Sequence, residues 1–220
     1  MTPPLQPVSA TEALARSLRD RILGGEIPPG TRLPELELVR SYGVARPTVR
    51  EALQLLVHQG LLHRRPNHSA SVPELTPDAV GDIFFARTPI ELHTVRTLAE
   101  RGDDVPAARD AVERFQALPD DVGWSHAVEA DMAFHLALID AVGSPRLARL
   151  YVALEGEIRL CIAQLRPAWH VPSALAEEHR QVLDGILAGS APAAVARMRE
   201  HLDRAVRDLT GRARELELID

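Results

Sequence analysis

Apolar residues recur at helical spacing almost from the start of the chain. Ser9 stands three residues before Glu12, the spacing of a capping box, and Leu14, Leu18 and Ile22 then fall on one helical face. Gly24 and Gly25 stop this helix. Pro28, Pro29 and Gly30 form a turn that leads through Thr31, Arg32 and Leu33 to a second helix, opening near Pro34 and ending at Gly43. A third helix is predicted over residues 46–59, with Pro47 in its first turn, where a missing N–H is harmless. Its apolar stripe is Val49, Ala52, Leu53 and Leu56, and Gly60 ends it. Residues 61–65 and 70–72 then read as two short strands around Pro66, Asn67, His68 and Ser69. Helix, helix, turn, helix and hairpin is the order of a winged helix-turn-helix.

The pattern changes after Pro73 and Pro77, which mark a short hinge. Helices are predicted at about 106–117, 123–142, 144–166, 172–188 and 190–217. Residues 76–102 read either as one bent helix or as two, 76–86 and 88–102. Pro89, Pro106, Pro145, Pro172 and Pro192 each fall near a proposed start. Val195, Met198, Leu202, Val206 and Leu209 keep an apolar stripe along the last helix. No strand-like alternation appears, so the fold class is mainly α: an N-terminal winged helix-turn-helix and a C-terminal helical bundle. Three domain-level segments follow: a disordered start at 1–8, which holds three prolines, then 9–73 and 74–220.

Composition adds three constraints. Hydrophobic residues make up 45% of the 220 and aromatics 4%, so Leu, Val and Ala must build the core of one large or two small domains. The single cysteine, Cys161, excludes an internal disulfide. No signal peptide and no apolar run of about 18 residues is visible, so no membrane partner and a cytoplasmic location are expected. Charge is split between the halves. Residues 1–75 carry nine Arg against seven acids (+2), while the remainder carries sixteen against twenty-four (−8). A basic module joined to an acidic one suggests two jobs.

The third helix supplies the chemistry for the first job. Arg46, Arg50 and Gln54 line up at i, i+4 and i+8, with Thr48 in the same first turns. Guanidinium groups there can reach guanine O6 and N7 in a major groove. Arg64, Arg65 and His68 would lie on the wing, near phosphates or a minor groove. Spacing alone leaves an ordinary solvated helix face equally open.

In the bundle, Asp131 and His135 are i, i+4 on one helix, His179 lies on the next but one and His201 on the last. Together they make a donor set suited to Zn2+, Ni2+ or Mn2+. With nine histidines in the chain, chance is the competing reading. His126 points away from Asp131 around the helix and is expected at the surface, and His93 and His170 have no partner spacing. Glu178 reads as a solvated carboxylate. Arg87 and Arg159 are candidates for holding an effector's carboxylate, with a structural salt bridge as the alternative for each.

Two resemblances narrow these alternatives. LPELELVRSYGVARPTVREALQLLVHQGLL, at residues 33–62, closely resembles the DNA-binding domain of the GntR family, and ILGGEIPPGTRL before it fits the same pattern. The resemblance implies that Arg46 and Arg50 read bases. The chain departs from that pattern at Ala45, where a serine cap is usual, at Leu36, where some members carry a further arginine, and at Ser69, where the wing tip commonly has glycine. The segments EADMAFHLALIDAVGSPRL, EEHRQVLDGILAG and AVARMREHLDRAV resemble the FadR-like sensor domain called FCD, and R-T-P-I-E at 87–91 matches its opening helix. That resemblance implies a divalent metal, with zinc first among the candidates, on Asp131, His135, His179 and His201.

The expected function is a DNA-binding repressor, a homodimer on a palindromic double-stranded operator, whose metal-containing sensor domain binds a small organic acid. The effector class is open among hydroxy acids, dicarboxylates and sugar acids. Two rivals stand beside it: a regulator whose metal is purely structural, and a metal-dependent hydrolase.

Overall fold

The computed structural model describes residues 9–165 and 172–217. The expected disorder at 1–8, the residue His170 and the predicted helical residue 166 lie outside the described residues. The chain divides between Glu74 and Leu75 into two compact units, each with its own core.

In the first unit, α1 (Ala10–Leu23) begins with a complete capping box: Ser9 Oγ accepts from the Glu12 N–H at 3.1 Å, and the Ser9 N–H donates to Glu12 Oε2 at 3.1 Å. Its buried face of Leu14, Ala15, Leu18 and Ile22 packs on α3 (Arg46–His58). Val49, Ala52, Leu53 and Leu56 of α3 are fully buried, as a stripe at i, i+3, i+4 and i+7 requires. Between them α2 (Glu35–Tyr42) ends at Gly43, whose φ of +64° is a left-handed cap. Ala45 caps α3 with no side-chain hydrogen bond.

The wing differs from the predicted hairpin. The paired strands are β1 (Arg32–Leu33) and β2 (Ala70–Ser71), with Arg32 opposite Ser71 and Leu33 opposite Ala70. The predicted strand at 61–65 is reduced to one bridge, His63 to Ser71. A strand of two residues is too short to show alternation, so β1 read as a connector. It forms because Thr31 and Val72 extend the pairing, the Val72 N–H donating to Thr31 O at 3.0 Å.

Among the described residues the second unit has six helices: α4 (Pro77–Arg101), α5 (Pro106–Gln116), α6 (Trp124–Ala141), α7 (Pro145–Gln164), α8 (Pro172–Leu187) and α9 (Ala191–Glu217). Residues 77–101 form one continuous helix with Pro89 inside it, so the helix start proposed at Pro89 is corrected. Pro89 and Phe85 are both exposed, and a backbone hydrogen bond is lost most cheaply on a helix's solvent side. The long α4 and α9 pack along each other. Helices α5, α6 and α8 assemble around Phe115, Ala127 and Ala176, while Met132, Ile139, Tyr151 and Ile158 form a second cluster between α6 and α7. Polar residues are buried where these helices converge: Arg87, Glu91, Asp131, His135, His179 and His201.

Candidate metal centre and nucleic-acid interface

On the first unit, Arg46, Arg50 and Gln54 are exposed on α3, with Thr48 half-buried beside them. Arg65 and His68 are exposed on the wing and Arg64 is half-buried. One residue that the sequence reading passed over organises three of these groups. Glu35 Oε2 accepts from Arg46 Nε at 3.0 Å and from Arg50 Nε at 2.8 Å, while Oε1 accepts from Arg64 Nη2 at 3.4 Å. Partial burial would raise the Glu35 carboxyl, but the arginines outweigh it and hold it below the usual carboxylate range. Sequence spacing carried no signal for this, because Glu35 lies 11, 15 and 29 residues from its partners.

In the second unit, Asp131, His135, His179 and His201 each offer a donor atom, and these atoms all lie within 4.8 Å of one another. Helix α6 sends Asp131 and His135 from one face, α8 sends His179 and α9 sends His201. His179 Nε2 lies 3.2 Å from His135 Nε2 and 3.4 Å from Asp131 Oδ1. Asp131 Oδ2 is buried with no hydrogen-bond partner. Burial pushes the His179 imidazole well below its usual range, and His201 and His135 push it further. Burial also lowers His135, against the pull of Glu91. The His135 and His179 rings held toward their neutral form, the His201 ring beside them and a carboxylate with an unmet oxygen are what a divalent cation needs as ligands, so the residues present fit one.

Two carboxylates stand behind this set. Glu91 on α4 accepts from Arg87 Nε at 2.5 Å and from the Tyr151 hydroxyl at 2.8 Å. Its Oε2 lies 2.6 Å from His135 Nδ1, off the line of the ring N–H, so the contact is close but not an aligned hydrogen bond. Burial alone would raise Glu91 and lower Arg87. Their mutual attraction reverses both, leaving a buried ion pair. Glu178 on α8 meets His201 Nδ1 at 3.0 Å and accepts from Arg204. Its side chain is 13% exposed, so its reading as a solvated carboxylate is corrected. Both acids contact Nδ1, which leaves Nε2 of each ring facing the other donors. Glu91 was within reach of the sequence as i+4 from Arg87; Tyr151, sixty residues from Glu91, was not.

The two arginine candidates separate. Arg87 is 1% exposed, and its Nη2 is buried with no hydrogen-bond partner. It lines a cavity of about 50 Å3 together with the polar Asp131, His201 and Asp208 and the apolar Trp124, Ile162, Leu175, Ala205 and Leu209. Arg159 is instead held by Glu155 Oε1 at 2.8 Å and Glu129 Oε2 at 2.5 Å, and does not line that cavity. Arg159 therefore stands in the salt bridges that were its alternative reading. His126 and His93 are exposed.

The sequence matches the model of bacterial regulatory proteins, gntR family, over residues 10–72 and that of the FCD domain over residues 82–204. An HTH-type transcriptional regulator in an unstable DNA locus of Streptomyces ambofaciens is 32% identical over 196 residues, covering 87% of this chain and 80% of its own. The HTH-type transcriptional regulator LutR of Bacillus subtilis (strain 168) is 28% identical over 211 residues, covering 86% of this chain and 96% of its own. A crystal structure of a GntR transcriptional regulator from Rhodococcus sp. RHA1 superposes with a TM-score of 0.73 at 26% identity, covering 91% of this chain and 97% of that one. No described helix is long and apolar enough to cross a membrane. Regulators throughout these matches set aside the hydrolase alternative. The chain belongs to the GntR family of bacterial transcriptional regulators, in which its DNA-binding helix-turn-helix is joined to an FCD domain.

Proposed function

We propose that the protein is a cytoplasmic repressor that binds a palindromic operator as a homodimer and is controlled by a small organic acid at a metal centre. Arg46, Thr48, Arg50 and Gln54 read the major groove, while Arg64, Arg65 and His68 hold the wing against the backbone or minor groove. Two-fold symmetry doubles the few base pairs one recognition helix can read. Asp131, His135, His179 and His201 hold the divalent ion, with Zn2+ first and Ni2+ or Mn2+ as alternatives. The bound ion supplies an electrophile for a carboxylate. Arg87 supplies the second anchor, and Glu91 keeps it in place.

One observation carries this reading: a buried guanidinium with an unused donor borders the same cavity as two of the four clustered ligands. A cluster that only stapled helices would have no use for such a neighbour. The effector acts by binding the DNA-competent and DNA-incompetent states with different affinity.

Thermal melts of the full chain against a panel of organic acids, with and without EDTA, test the proposal. An acid at a hundred times its dissociation constant adds about 2.7 kcal/mol, and each kcal/mol raises the midpoint by about 2–4 °C. The expected result is stabilisation by at least one acid, abolished by EDTA, and release of DNA by the same acid. A melt lowered by EDTA but unmoved by every acid would make the metal structural and sink the acid-sensing half.

A further inference from the structure

Three arginines share one carboxylate on the first unit, and the atoms they use decide what each has left for DNA. We propose that Glu35 is a positioning residue: it holds Arg46 and Arg50 so that each reads a guanine end-on, and so fixes a pair of guanines in each half of the operator. This rests on the reading of those two arginines as base-contacting groups and adds what orients them.

The carboxylate is itself anchored. Glu35 opens α2 with its side chain 18% exposed, and its Oε1 accepts from Nη2 of Arg64, which is 27% exposed, at 3.4 Å. Its other oxygen, Oε2, serves α3. Arg46 and Arg50, 54% and 56% exposed, reach that one atom through Nε at 3.0 and 2.8 Å. Ion pairs this exposed add little to stability, so holding the fold is a poor account of three arginines on one acid. Their effect on side-chain freedom is larger. An arginine gives up its rotamer freedom when it binds a base, and one held beforehand gives up less.

The atoms engaged set the mode of reading. A guanidinium carries five N–H donors in one rigid plane, so it can offer a base either its two Nη groups or Nε with one Nη. In Arg46 and Arg50 the Nε is taken by Glu35, while both Nη groups have no partner among the described residues. The pair of donors left is therefore the two Nη groups. Two parallel donors fit the O6 and N7 acceptors of guanine, whereas adenine places a donor at N6 and cytosine one at N4. Arg46 and Arg50 stand one turn apart, about 6 Å along α3, which is under two base-pair steps of about 3.4 Å. For a helix lying along the groove, the two guanines then fall within two steps of each other. The shared oxygen also offsets the repulsion between two cations held so close.

The test uses the full chain to select its binding sequence from a pool of randomised duplexes. Fluorescence anisotropy then compares the selected duplex, a scrambled one, and the selected duplex with 7-deazaguanine, which lacks the N7 acceptor, at single guanines. The expected half-site holds two guanines within two base-pair steps, and replacing either weakens binding severalfold. Glu35→Ala should lower the preference for selected over scrambled duplex roughly tenfold and flatten the 7-deazaguanine effect at both positions together. Glu35→Asp keeps the charge but withdraws it by one methylene. It should lose the preference in the same way while its salt dependence stays with the parent's. Thermal melts followed by circular dichroism check that each variant folds.

Arg46→Ala and Arg50→Ala separate this inference from the reading beneath it. If neither reduces the preference for selected duplex, base reading by these residues falls, and the role of Glu35 with it. If both reduce it while the two Glu35 variants keep the parent's preference, the arginines read bases unaided and only the positioning role is overturned. A Glu35→Asp variant that keeps the preference which Glu35→Ala loses makes Glu35 a counter-charge and overturns positioning as well. A selected half-site without two guanines within two steps overturns end-on reading. Should Glu35→Ala not fold, Glu35→Asp decides alone.

Discussion

Glu35 sets the charge that the exposed face of α3 presents. One carboxylate, 18% exposed, engages Arg46, Arg50 and Arg64 together, so the free protein holds the arginines proposed to contact DNA against a counter-charge of its own. Glu35→Gln removes one negative charge from that face and loosens all three side chains. Binding to scrambled duplex should tighten and its salt dependence steepen, with discrimination for a selected operator reduced. Fluorescence anisotropy between 50 and 200 mM salt reads all three, and unchanged salt slopes would deny Glu35 this role. Base reading itself is tested at Arg50. Arg50→Ala should cost about 1–3 kcal/mol of preference between selected and scrambled DNA if the contact is bidentate. In the second unit the comparable residue is Glu178, which meets His201 at Nδ1. Under the proposed metal role of His201, Glu178→Gln keeps the shape but loses the charge that would orient and strengthen that ring as a ligand. Zinc affinity should fall about 10–100-fold in a competition assay, with helix content unchanged.

Elements bring these residues together only where helices approach closely. Gly185 on α8 lies against the start of α9, and a Cβ there would sit 2.8 Å from the Ala194 backbone nitrogen and 2.9 Å from its Cα. Backbone on that side cannot yield as a flexible side chain would. Gly185→Ala should destabilise the protein by about 1–3 kcal/mol, read as a lowered thermal midpoint. A midpoint at or above the parent's would show that the α8–α9 crossing can open. Because His179 and His201 stand on these two helices, the same substitution should also weaken zinc. The elements themselves were largely legible: the capping box at Ser9, the α3 stripe and the left-handed glycine after α2 are local signals, written in a few adjacent residues. Strand β1 and the continuity of α4 through Pro89 were not. A two-residue strand exists only through its partner, and a proline is tolerated inside a helix only on a face that tertiary packing leaves open.

At the scale of the whole molecule, the two units report separately. Both tryptophans, Trp124 and Trp169, fall in the second unit by sequence, so tryptophan fluorescence, excited selectively over tyrosine, follows that unit alone. EDTA should lower the fluorescence-detected melting midpoint while a second, fluorescence-silent loss of helix by circular dichroism stays where it was. A single transition that moves as one in both signals would show that the units unfold cooperatively. Such a result would also mean that a change at the metal centre is felt by the DNA-binding unit through stability.

What the sequence determined by itself is whatever depends on neighbours along the chain: helix starts and stops, the apolar stripe of α3, the i, i+4 placement of Asp131 and His135, and the residue types able to bind DNA or a cation. Resemblance to known domains then singled out four candidate ligands from nine histidines and many acids. Tertiary structure decided the rest. It bound Glu35 to three arginines, brought Glu91 and Glu178 behind the imidazoles, left one Arg87 donor unmet beside a cavity that Asp131 and His201 also line, and tied Arg159 to two carboxylates elsewhere. The reason is physical. A helix shows in sequence because its hydrogen bonds span four residues, whereas a buried polar group is satisfied by whatever the fold places near it, at any separation along the chain.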